Sequence, residues 1–248
     1  MTADRPTADE LLLAALKELP LKPADSAKQS EKKRWSELLS ERVALAFAEE
    51  LRARGLAEAL PAPPGEAGTS GAERRMSGGI GAKKVDVTWA TPESGLLLGI
   101  SIKSISFRDT RTKNYQKNLT NRRGDMLFES TTLHRRFPYA VLAGFFFLDS
   151  GAASDHTTTR KSTFENAHAR FRIFTNRTDP YGRDEQYERF YFILHDSNPF
   201  RPSVEISPAG APDKRVTLSA AFDEILEIVA DRNPDFYLYD KGILVRQR

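Results

Sequence analysis

The chain has no cysteine, which excludes disulfides, thiolate zinc sites and cysteine nucleophiles and matches a reducing compartment. Its four histidines, His134, His156, His168 and His195, are too scattered to form a zinc motif. No apolar run approaches the ~18 to 20 residues needed to span a membrane, and no basic stretch followed by an apolar core opens the chain. A soluble, cytoplasmic protein with no membrane partner is expected. A strong excess of either charge is also missing: 37 Lys and Arg stand against 34 Asp and Glu, a net +3, which permits a polyanionic partner without requiring one.

What is present points to a folded domain. The 248 residues are 40% hydrophobic and 29% charged, ordinary globular usage, and the length suits one α/β domain over 1–248 with elaborations after about residue 150. The distribution of charge says more than its total. Between Lys103 and Arg136 there are nine Lys or Arg against three acids, so the rest of the chain is acidic overall.

Periodicity orders the elements. A short apolar patch, Leu11 to Leu16, predicts a small helix. From Glu31 to Arg54, Trp35, Leu38, Leu39, Val43, Ala46, Phe47 and Leu51 recur at three- and four-residue steps, one buried stripe of an amphipathic helix that Gly55 can stop. Residues 59–82 hold three prolines and six glycines with few bulky apolar residues, which predicts a flexible loop. It includes the basic pair Arg74 and Arg75 and the glycine-rich run Ser77 to Gly81. Lys84 to Ala90 alternates, with Lys84, Asp86 and Thr88 on one face and Val85, Val87 and Trp89 on the other. A turn at Thr91 to Gly95 leads into a second β-rich run, Leu96 to Phe107, so the two form a hairpin. A helix is expected over Leu119 to Arg136, ended by Pro138. The apolar run Tyr139 to Leu148 reads as a central strand covered on both faces, with Phe145 to Phe147 as core. Arg160 to Phe174 reads as helix, Tyr187 to His195 as strand and Ala220 to Asp231 as a last amphipathic helix. No internal repeat is visible.

The order α-β-β-α-β over the first part of the chain brings Asp86 and Lys103 near each other across a hairpin, and both can point to one side. A carboxylate beside a lysine at the lip of a sheet suits phosphodiester hydrolysis. The carboxylate holds a hard divalent ion through oxygen, the ion polarises phosphate and activates water, and the ammonium stabilises developing charge. The main-chain carbonyl of Ile102 offers a further oxygen ligand.

Val85-Asp86-Val87, then Gly99 to Ser104 (GISIKS), then a basic-headed helix and an apolar strand, together resemble the core of PD-(D/E)XK, or restriction-endonuclease-like, nucleases over about residues 31–148. The resemblance implies a mixed central sheet flanked by helices, with Mg²⁺ or Mn²⁺ as cofactor and double-stranded DNA as substrate. It implies that Asp86 binds the metal and that Lys103 is catalytic. An acid is expected two residues before the lysine, but Ser101 stands there. The missing carboxylate must then come from elsewhere: Glu41 on the first long helix is the first choice, with Glu37, Asp125 and Glu129 as substitutes. The head of the later helix offers Lys117, Asn118, Asn121, Arg122 and Arg123 for the DNA backbone, since helix-start N–H groups and clustered guanidinium charge favour phosphate.

The expected activity is a metal-dependent DNA endonuclease of restriction or defence against foreign DNA, working as a homodimer if its sites are palindromic. Two other functions fit the same residues. One is a non-catalytic DNA-binding or scaffold module, motivated by Ser101. The other is a nuclease acting on RNA or awaiting an activating partner.

Overall fold

The computed structural model describes residues 5–63, 65, 74–77 and 82–247. Helix α1, Ala8–Lys17, begins at Thr7, whose hydroxyl accepts from Glu10 N–H while the Glu10 carboxylate accepts from Thr7 N–H; this reciprocal cap satisfies two backbone donors that the first turn leaves open. Helix α2, Gln29–Ala53, buries Trp35, Leu39, Val43, Phe47 and Leu51, the four-residue stripe expected from its sequence. Gly55 follows with φ +101°, and a Cβ there would lie 2.3 Å from the Leu244 carbonyl oxygen. The turn therefore requires glycine.

The stretch expected to be a plain loop contains a strand. β1, Arg74–Ser77, pairs antiparallel with β2, Ala82–Val85. All three prolines of the stretch precede residue 65, and 74–77 contains neither Pro nor Gly, so nothing there prevents main-chain pairing. Most of the Ser77 to Gly81 run lies outside the described residues.

β3, Val87–Thr91, and β4, Gly95–Ile105, form the expected hairpin, with Val87 opposite Ile100 and Trp89 opposite Leu98. Helix α3, Leu119–Arg136, returns the chain to β5, Val141–Asp149, parallel to β4. Helix α4, Thr163–Phe171, then leads to β6, Arg189–Asp196, parallel to β5, and β7, Ser203–Pro208, closes the sheet antiparallel. The order in this five-stranded mixed sheet is β3-β4-β5-β6-β7. Helix α5, Leu218–Arg232, and a separate hairpin of β8, Tyr237–Asp240, and β9, Ile243–Arg246, complete the described elements.

Helices cover both faces, as the doubly apolar strands require. Along β5, Phe145 and Phe147 pack with α1, α2 and α5, whereas Phe146 and Leu148 pack with α3 and α4. All four side chains are fully buried. Among the described residues no helix is long and apolar enough to cross a membrane.

One expected alternation breaks. Val85 joins the core on the α3 side, while Val87 and Trp89 join the core on the α2 side. The chain bends at Asp86, between β2 and β3. Extending the β3–β4 register past Val87 would set Val85 opposite Ile102, but the Asp86 carboxylate accepts the Ile102 N–H instead, at 2.6 Å. A side chain thus satisfies the donor that the next rung of the ladder would have used.

Candidate functional site

Five side chains, from Asp86, Ser101, Lys103, Glu129 and Tyr187, converge where β4 passes under α3. On β4, Ser101 and Lys103 share the face toward α3, because strand side chains repeat every second residue. Lys103 Nζ lies 3.6 Å from Asp86 Oδ2 and 3.5 Å from Glu129 Oε2. The Ser101 hydroxyl donates to the other Glu129 oxygen, Oε1. The Tyr187 hydroxyl donates to the Met126 carbonyl at 3.0 Å and lies 3.4 Å from Ser101 Oγ.

Glu129 reaches the site because of its position on α3. It follows Met126 by three residues and precedes Leu133 by four, and all three are buried; these spacings form one inward stripe of a helix. An acid on such a stripe must find partners. It finds the hydroxyl of the serine that stands in place of the expected acid, and the ammonium two residues further on.

Electrostatics fix the charge states. Burial alone would lower the Lys103 pKa, but the Glu129 and Asp86 carboxylates outweigh both burial and the opposing Arg122 guanidinium, so Lys103 titrates above the ordinary lysine value and stays an ammonium. Burial first, and then the Glu129 carboxylate, push the Tyr187 phenol well above its usual range. It remains a neutral donor.

The candidate residues divide by place. Glu41, the first choice for the missing acid, is exposed and lines the groove in front of the site, with no hydrogen bond or ion pair to Asp86 or Lys103. Glu37 is also exposed, 3.7 Å from Lys33, and Asp125 faces Arg122 at 3.8 Å. Glu129 is the acid that the fold brings to the lysine. Ile102 meets Asp86 through its N–H. Tyr187, which had no assignable role in the sequence, braces the site from behind. Its sequence carried no signal because the tyrosine, just before β6, lies 86 residues from Ser101 and meets it only through the parallel sheet.

The groove has a volume of about 990 Å³ and runs between the first turns of α2, the C-terminal end of β4 and the head of α3. Lys32 and Lys33 line one side, and Lys117, Asn118 and Arg122 the other. Its lining holds seven Lys or Arg against four acids, so it favours a polyanion. Two residues of the expected DNA-binding set stand apart. Asn121 is exposed outside the lining, and the Arg123 guanidinium lies 5.6 Å above the Phe174 ring. Arg123, one position after Arg122, points about 100° away from it around the helix. At the far end of α3, His134 is buried, with Nδ1 2.9 Å from the Asp184 carbonyl and Nε2 3.3 Å from Glu188. These contacts fix its ring at the C-terminal end of α3.

Among the described residues no group of three or more His, Asp or Glu is placed to hold a metal ion. Asp86 lines the groove and Glu129 lies behind it, with Lys103 within 3.6 Å of both carboxylates; Mg²⁺ commonly takes one or two carboxylates and completes its shell with water and substrate phosphate. Comparison with protein-family models, curated proteins and solved structures found no match.

Proposed function

We propose that the chain is a Mg²⁺-dependent, restriction-endonuclease-like nuclease that hydrolyses DNA phosphodiester bonds, with Asp86 and Glu129 holding the ion and Lys103 as the catalytic cation. One observation carries the reading: Lys103 stands between two carboxylates from different elements at the base of a cationic groove. When bound, Mg²⁺ supplies Lewis acidity to the phosphate and lowers the pKa of the attacking water.

The chain's own residues do the rest. Lys117, Asn118 and Arg122 bind the phosphate backbone and orient the scissile group toward the base of the groove. The Lys103 ammonium, kept charged by its two neighbours, faces the oxygens on which charge builds as water adds to phosphorus and the ester P–O bond breaks. Ser101 holds the Glu129 carboxylate in place, and Tyr187 buttresses Ser101. Restriction of foreign DNA by a two-fold dimer, with one such centre for each strand, is the setting that the family resemblance suggests.

The test is cleavage of plasmid DNA by purified protein with and without Mg²⁺. Lys103→Ala should lower the metal-dependent rate by about 10²- to 10³-fold, the usual cost of removing one transition-state charge partner. Cleavage that survives this change rejects the assignment. One observation favours a second reading, a non-catalytic DNA-binding module: among the described residues no third acid joins Asp86 and Glu129. That reading predicts salt-sensitive, metal-independent DNA binding without turnover.

A further inference from the structure

The segment from Arg108 to Gln116, in the link from β4 to α3, is braced by hydrogen bonds on both sides of its tip, and tip residues Arg111, Thr112 and Lys113 are exposed. The Asp109 carboxylate accepts from Arg111 N–H at 3.1 Å and from Thr112 N–H at 2.9 Å, and pairs with Lys117 at 2.7 Å. Its main chain exchanges two hydrogen bonds with the far side of the loop, Asp109 N–H to the Asn114 carbonyl and Lys113 N–H to the Asp109 carbonyl, both 2.9 Å. The base is anchored as well. Arg108 N–H donates to Asp25, Tyr115 N–H donates to Asp155, and the Tyr115 hydroxyl donates to Asp149.

Lys113 sits at φ +55°, a left-handed conformation that a β-branched or long side chain seldom adopts and that persists only where surrounding contacts enforce it. Arg111 and Lys113 are both exposed, and neither side chain has an ion-pair partner among the described residues. Arg108, Asp109 and Thr110 line the groove, whereas Arg111 and Lys113 lie outside the lining.

From this we infer that the 108–116 loop is a preformed reading finger, which inserts Arg111 and Lys113 into a groove of duplex DNA and contacts base edges beside the scissile phosphate. The inference rests on the nuclease reading for its substrate. Phosphate contacts need only charge, and flexible lysines supply it, whereas base contacts depend on fixed donor geometry. The cations Lys117 and Arg122, assigned above to phosphate, already occupy the groove wall, and the loop's braced backbone fixes where its two remaining cations, Arg111 and Lys113, leave the chain outside the lining. Holding them in place before binding avoids an ordering cost on association. An arginine at such a tip suits the paired acceptors on the major-groove edge of guanine.

Two measurements test this, one of which needs no cleavage. A randomised duplex library is bound to the full chain, and the retained DNA is sequenced for the wild type, Arg111→Ala and Lys113→Ala. The ends of genomic DNA cut in Mg²⁺ are sequenced for the same proteins. The wild type should enrich a short sequence, and Arg111→Ala should relax preference at one or two positions by roughly 10-fold or more, as loss of a bidentate base contact does. Asp109→Ala, which frees the loop while leaving both cations, should relax the same positions. Retention without sequence preference in the wild type overturns the finger, as does an equal loss of affinity for all sequences in Arg111→Ala. Selective retention that depends on Arg111, without any cutting, would overturn the nuclease reading and leave the finger standing.

Discussion

Lys103 illustrates how a single residue depends on its neighbours. A half-buried ammonium is costly alone, and the pair of carboxylates that keeps it charged is equally costly without it. Of the two carboxylates that raise the Lys103 pKa, Glu129 acts more strongly than Asp86 and also holds Ser101, so it is the partner whose removal most changes the site. Glu129→Gln should reduce Mg²⁺-dependent cleavage on the order of 100-fold, while Glu41→Gln should change it by less than about 3-fold, as an exposed charge outside the contact set would. Steady-state rates on one plasmid substrate separate the two, and the reverse ranking would restore Glu41 as the missing acid. Residue spacing alone could propose Asp86 and Lys103, since a hairpin relates them locally. It left four acids open, because choosing among them depends on which helix crosses over β4.

At the level of elements, α3 and β5 do the positioning. Gly144 on β5 lies opposite Ser101 in the parallel register, and a Cβ there would come within 2.5 Å of Phe190 and 3.2 Å of Met126. The missing side chain is what lets α3 settle close enough for Glu129 to meet Ser101. Gly144→Ala should therefore destabilise the fold by about 1–3 kcal/mol through overpacking, seen as a Tm lowered by several degrees, with catalytic rate falling as α3 shifts. An unchanged Tm would mean that the helix has slack at this point. The boundaries of α3, Leu119–Arg136, coincide with the expectation from the sequence. Its inward acid, by contrast, was legible only as an interruption of the buried stripe between Met126 and Leu133.

For the whole molecule, two buried histidines set a limit on acid tolerance. Burial, with Arg215 adding to it, lowers the His168 pKa to about 4. Burial also lowers that of His195 to about 4, against an opposing pull from Asp149. Both are therefore neutral in the fold. Below about pH 6.5 the unfolded chain takes up protons that the folded chain refuses until about pH 4, so this stability is complete above 6.5 and is lost on acidification through that window. The loss is on the order of 3 kcal/mol for each histidine. Urea unfolding at pH 7 and pH 4.5 should show the decline, and His195→Leu should remove about half of it; equal stability at both values would place these imidazoles in water.

The α-β-β-α-β order of the first part, the apolar central strand and the β3–β4 hairpin could be derived from the chain alone, because each rests on local periodicity or on residues close in sequence, whereas β1, β7 and the β8–β9 hairpin could not. Nor could the site's other half. Glu129 and Tyr187 meet Ser101 across separations of 28 and 86 residues, and only the parallel pairing of β4, β5 and β6 with α3 packed above them brings those groups together. The bend at Asp86 is likewise a tertiary outcome: local alternation predicts a continuous strand, and the carboxylate's hydrogen bond to Ile102 breaks it. Periodicity reports which face of an element is buried, whereas the contacts that assemble a site depend on which buried faces are laid against one another.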